Sequence, residues 1–124
     1  MHKLILLASV GACGTLARYF LQGWVQRLFG GELPWGTLVV NSLGCFAFGL
    51  IWAIAEGRFL IKPELRTVLL IGFLGSFTTF SSFIFETAEL FRDTQWQMAI
   101  LNLVGQNVLG LILFFVGLFL GRIL

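Results

Sequence analysis

Neutral amides, hydroxyls and clustered phenylalanines stand in this chain inside apolar segments long enough to cross a bilayer. Polar groups at that depth are costly, so each is a functional hypothesis by default. Thr37 and Asn41, four residues apart, share a helix face in the second segment. Asn41 has two readings: an amide bridging two helices, or a donor that serves an anion without carrying a charge. Asn102 and Gln106 form a similar pair in the fourth segment, with Asn107 turned about 100° away, so one of those faces must meet protein and not lipid. In the first segment Arg18, Gln22 and Gln26 recur every four residues above Gly11, Gly14 and Thr15, making one polar stripe. That stripe is either an electropositive mouth that draws anions, or an arginine snorkelling to the interface or pairing with an acid.

The densest signal is Gly72-Phe73-Leu74-Gly75-Ser76-Phe77-Thr78-Thr79-Phe80-Ser81-Ser82-Phe83. A lipid-facing helix has no use for glycines and hydroxyls in mid-span. In hydrocarbon a helix is interrupted only where the freed amides and carbonyls face protein, water or an ion. If the helix were continuous, Phe77, Phe80 and Phe83 would share a face, which taken alone reads as packing. Beside hydroxyl and amide donors they acquire a second reading, because phenyl edges are electropositive and two of them can coordinate a small anion while excluding water.

The elements that must position these groups follow from composition. The chain has 124 residues, 58% hydrophobic and 11% charged. A soluble domain of this length could not hide that much apolar surface. Four segments reach the roughly 20 residues a crossing needs: Leu4 to Leu28, Trp35 to Ala55, a third with its apolar core at Thr67 to Phe85 inside a helix over about 63–91, and a fourth over about 94–122. The expected fold is a single all-α integral-membrane domain of four transmembrane helices over residues 1–124, with a break in the third. Gly30-Gly31-Glu32-Leu33-Pro34, Glu56-Gly57-Arg58 to Lys62-Pro63-Glu64, and Arg92-Asp93-Thr94 are the connections. Links this short favour antiparallel neighbours. Gly117-Leu118-Phe119-Leu120-Gly121 reads as a close-approach motif serving assembly.

A net charge of +2 is too small and scattered to suggest a nucleic-acid or headgroup partner. Cys13 and Cys45 are single thiols inside spans, read as small buried hydrophobes, so redox and metal-cluster chemistry have little support. The first segment lacks a cleavage pattern and is interrupted by Arg18, so Met1 is expected to remain in the protein. Lys3, Arg58, Lys62, Arg66 and Arg122 fall on the side of the termini, against Arg27 and Arg92 opposite, which favours cytoplasmic termini.

Gly-Thr-Leu-Val-Val-Asn at Gly36 to Asn41, Gly-x-x-x-x-x-Ala-Arg at Gly11 to Arg18, and above all Gly-x-x-Thr-Thr-Phe-Ser-x-Phe at Gly75 to Phe83 resemble the CrcB family, the Fluc fluoride channels. The resemblance covers the whole chain. It implies a dual-topology homodimer of antiparallel copies in the cell inner (plasma) membrane, with two fluoride pores along the interface. By motif position, Asn41, Phe80 and Phe83 match the pore asparagine and phenylalanine pair, and Thr37, Ser81 and Gln106 fall on the polar track. Arg18 lies near the vestibule. Gly75 and Thr78 match a break whose backbone carbonyls hold a structural sodium ion between subunits. The sequence departs from the pattern at Ser82, where threonine is common, and at Gly110 and Phe114, where relatives continue the track with hydroxyls.

Fluoride is small and strongly hydrated, so a pore must replace its water with several donors at once without a fixed charge that holds it too tightly. Because fluoride enters acidified cells as its weak acid and is trapped as the anion, a passive exit suffices and no enzyme chemistry is required. Two rival classes remain. A small multidrug or cation exporter needs a deep, titratable carboxylate, whereas Glu86 and Glu89 read as lying at the end of the third helix. A membrane assembly protein would leave the polar stretch of the third segment unexplained.

Overall fold

The computed structural model describes residues 2–57 and 61–124. Met1, and Arg58 with its place in the charge count, lie outside the described residues. Among the described residues the regular structure is entirely helical: α1 (His2–Phe29), α2 (Trp35–Gly57), α3 (Pro63–Thr67), α4 (Gly75–Phe77), α5 (Phe80–Arg92) and α6 (Trp96–Ile123). A wide π-helical stretch, Val68–Leu74, joins α3 to α4. Four stretches are long and apolar enough to cross a membrane: His2–Phe29, Trp35–Glu56, Pro63–Arg92 and Trp96–Ile123. The last of these begins at Trp96, because Asp93 and a left-handed Thr94 (φ 59°) make the turn after α5.

The turn after α1 needs its glycines, since Gly30 and Gly31 sit at φ +61° and +76°, where a Cβ would be strained. Gln26 spans this turn. Its Nε2 donates to the Leu33 carbonyl at 3.2 Å, and its Oε1 accepts from the Gly36 amide at 3.1 Å, in the first turn of α2. A side chain thereby satisfies one of the helix-start amides that have no intrahelical partner.

Close backbone approach decides the helix pairing. On α6 a Cβ at Gly117 would overlap the Phe46 carbonyl of α2, and one at Gly49 of α2 would overlap the Phe114 carbonyl of α6. Gly117 and Gly121 therefore pack α6 on α2 within the chain. At Gly14 the same argument seats α1 against Phe73 in the π-helical stretch. Val40, Leu70, Leu74 and Phe77 form the buried apolar cluster between these elements.

The outward faces of α1 and α6 carry exposed Tyr19, Phe20, Leu111, Phe115 and Phe119, an apolar surface suited to a bilayer. The reading of both cysteines as buried is corrected here. Cys13 is exposed on α1, and Cys45 is only half-buried, 3.3 Å from where a Cβ would stand on Gly110.

Candidate functional site

The site is built on two residues that leave the helical conformation. Thr78 (φ −82°, ψ 158°) and Thr79 (φ −147°, ψ 113°) are extended between α4 and α5. Asn41 of α2 pairs with this exposed backbone as a neighbouring strand would. Its Oδ1 accepts from the Thr79 amide at 2.8 Å and its Nδ2 donates to the Thr79 carbonyl at 3.1 Å. Thr79 also caps α5, its Oγ1 accepting from the Ser82 amide at 3.2 Å.

The same Asn41 Nδ2 donates to Gln106 Oε1 at 2.9 Å, tying α2 to α6. Gln106 Nε2 donates to Asn102 Oδ1, and Asn102 Nδ2 to Thr87 Oγ1, each at 2.9 Å. Of the two polar faces on α6, the one carrying Asn102 and Gln106 meets protein. Asn107 is exposed and donates to its own helix at Leu103.

A cavity of about 330 Å³ lies against this network. It brings together Asn41, Phe80, Phe83 and Gln106 with Gly75 and Thr78. The Phe80 and Phe83 rings lie 5.8 Å apart between centroids at 54°. They differ in setting, for Phe80 is 73% exposed and Phe83 4%. Phe77 does not join them. The extended residues rotate the chain, so Phe77 stacks on Phe73 at 5.8 Å in the buried cluster.

The structure separates the other candidates. Thr37, 1% exposed, lines a second cavity of about 560 Å³ shared with Gln22, Gln26, Glu32, Glu86 and Glu89. Its hydroxyl donates to Glu86 Oε1 at 2.6 Å and accepts from Gln22 Nε2 at 3.0 Å. Ser81 is exposed, Arg18 is half-buried, and neither is among the residues lining the two cavities. Glu86, read from sequence as lying at the helix end, is drawn inward by Thr37, and its Oε2 is buried without a hydrogen-bond partner among the described residues.

The family model described as CrcB-like protein, Camphor Resistance (CrcB), matches residues 5–118. The chain belongs to the CrcB family. Relatives named "Fluoride-specific ion channel FluC" include those of Nitrosococcus oceani, 53% identical over 99% of this chain and 98% of that protein, and Desulforapulum autotrophicum, 50% identical with the same coverage. That of Solidesulfovibrio magneticus is 50% identical over all of this chain and 99% of its own length.

In this CrcB-family chain the sequence reading missed Thr79 as the backbone partner of Asn41, and it missed Thr87 altogether. A hydroxyl residue immediately before the Phe80 helix, three positions ahead of Ser82, was the available signal for Thr79. Thr87 carries no local signal, since its role appears only when α5 and α6 are set side by side.

Proposed function

We propose that this chain is a passive fluoride-selective channel that lets cytoplasmic fluoride leave down its electrochemical gradient, protecting the cell from fluoride. The observation that carries this reading is the cavity where two amides meet two tilted phenyl rings at the foot of α5. Fluoride needs several simultaneous donors, and neutral amide hydrogens and ring edges supply them without the tight hold of a full charge. The names of the relatives support the same ion. The work is transport, not enzyme catalysis.

Both Asn41 amide hydrogens are committed in this structure. An ion at Asn41 must therefore take the place of one acceptor, and the longer bond, to the Thr79 carbonyl, is the one to yield. Phe80 and Phe83 would offer ring edges at that point. Gln106 and Thr37 would extend the donor path to either side, Arg18 would raise anion concentration at the vestibule, and Ser81 would join where a second copy packs. The working unit is an antiparallel, dual-topology homodimer in the cell inner (plasma) membrane with two pores. The outward apolar faces of α1 and α6 support burial in lipid and against such a copy.

A structural sodium ion would fit the backbone carbonyls of Gly75, which opens α4, and Thr78, which follows it. In a continuous helix the Gly75 and Thr78 carbonyls would accept from the amides of Thr79 and Ser82. Those amides are donated instead to Asn41 Oδ1 and Thr79 Oγ1. Carbonyls released this way are the oxygen ligands that sodium takes in membrane proteins. The ion would supply fixed positive charge at the subunit contact, holding the two interrupted helices together.

Expression in a fluoride-hypersensitive bacterium lacking its own exporter tests the reading, with restored growth on fluoride as the expected result. Absence of rescue by well-expressed protein would overturn it. The buried Glu86 oxygen is the one feature that favours a proton-coupled exporter instead, and rescue that vanishes when the proton gradient is collapsed would support that class.

A further inference from the structure

Beside the Asn41 Nδ2 bond back to the Thr79 carbonyl, one continuous run of hydrogen bonds leads away from the cavity with every donor facing the same way. Thr79 N–H donates to Asn41, Asn41 to Gln106, Gln106 to Asn102, Asn102 to Thr87, and Thr87 Oγ1 to the Phe83 carbonyl at 2.7 Å. The relay starts and ends on the backbone at the first turn of α5. Polarity is fixed at both ends, because an amide N–H only donates and a carbonyl only accepts. Three side-chain amides lie between. Turning over any one of them would set oxygen against oxygen and nitrogen against nitrogen, so the two ends together dictate which way each amide faces.

The ends are not equivalent. The Thr79 end lies on the cavity, where an ion drawing on Asn41 Nδ2 competes with the Thr79 carbonyl. The other end is out of reach: Asn102 is fully buried, Thr87 is buried, and neither lines the cavity. We infer that Thr87 and Asn102 are positioning residues, which hold the Gln106 amide, and through it Asn41, in the donor orientation while the ion passes. Gln106 spends one Nε2 hydrogen on Asn102, which leaves the second for the cavity that Gln106 lines. This inference rests on the fluoride-channel reading and adds the source of donor orientation.

Thr87→Val keeps the shape and removes the acceptor for Asn102. Fluoride efflux from proteoliposomes is expected to fall by about tenfold, the order set by one buried donor left unpaired. Thr87→Ser restores the hydroxyl and should recover most of the flux. Asn102→Leu cuts the relay next to Gln106 and should do at least as much damage. The double variant Thr87→Val/Asn102→Leu should be no worse than Asn102→Leu alone, because both substitutions act through one path. Elution profile and thermal melting of each preparation separate positioning from stability, and if Thr87→Val does not fold, Asn102→Leu carries the test. Wild-type flux retained in folded Thr87→Val or Asn102→Leu, or equal losses in Thr87→Val and Thr87→Ser, would overturn the inference. Failure of the wild-type protein to pass fluoride would instead overturn the channel reading itself.

Discussion

Replacing Asn41 by aspartate exchanges one NH2 group for an oxygen and should close the pore. Asn41 Nδ2 stands 2.9 Å from Gln106 Oε1 and 3.1 Å from the Thr79 carbonyl, both of which only accept. A carboxylate oxygen in that place faces two other oxygens. Gln106 can turn its amide over to meet it, but only by giving up its bond to Asn102. Either way a buried hydrogen bond is lost, at about 1–3 kcal/mol. The larger effect is charge. A fluoride ion about 4 Å from the carboxylate is repelled by about 4 kcal/mol at an effective dielectric constant of about 20, which corresponds to roughly a thousandfold in rate. Asn41→Leu removes the donors without adding charge, so its loss should be smaller, giving the order wild type, Leu, Asp. Fluoride-electrode recordings of efflux from proteoliposomes, with elution profiles on the same samples, measure both flux and folding. Flux in folded Asn41→Asp within about tenfold of wild type would refute the reasoning, since even the hydrogen-bond loss alone predicts that much.

The two phenylalanines should separate by burial. Phe80→Ile is expected to reduce flux with little change in melting temperature because the ring is mostly exposed, whereas Phe83→Ile should reduce flux and also destabilise by on the order of 1 kcal/mol or more. Unchanged flux in folded Phe80→Ile would remove the ring from the pathway. Gly117→Val places a branched side chain against the Phe46 carbonyl and should collapse folded yield, while substitution at Gly105, which has open space around it, should not. Dual insertion predicts that a terminal tag on intact cells is labelled from both sides. A tag reached only from the cytoplasm would favour the single orientation suggested by the lysine and arginine count.

Much of the fold was legible because the constraint is severe. In hydrocarbon only helices and closed barrels pair all their backbone groups, so for apolar segments of this length hydropathy between charged connections locates the spans. The face shared by Asn102 and Gln106 was legible for a related reason: two amides four residues apart require a protein partner. The details of the third span were not. The resemblance put the break at Gly75 and Thr78; Gly75 is helical (φ −63°, ψ −30°), and the extended residues are Thr78 and Thr79. The Thr79 backbone is held by the Asn41 side chain, 38 positions away. Local propensity contains no record of such a partner. Glu86 misled for the same reason, since its distance from the helix end predicts a wet carboxylate, whereas Thr37 on α2 draws it inside. The cysteines were misplaced because composition does not say which face of α1, for Cys13, or of α2, for Cys45, packs on the other helices.

The central claim is that the pathway passes fluoride and excludes larger halides. Purified protein in liposomes, loaded with equal concentrations of fluoride and chloride under identical outward gradients and with no proton gradient, tests it most directly. The account predicts rapid fluoride efflux, abolished by Asn41→Asp, with chloride retained at the level of protein-free vesicles. Equal efflux of the two halides, or fluoride movement only when a proton gradient is imposed, would contradict it.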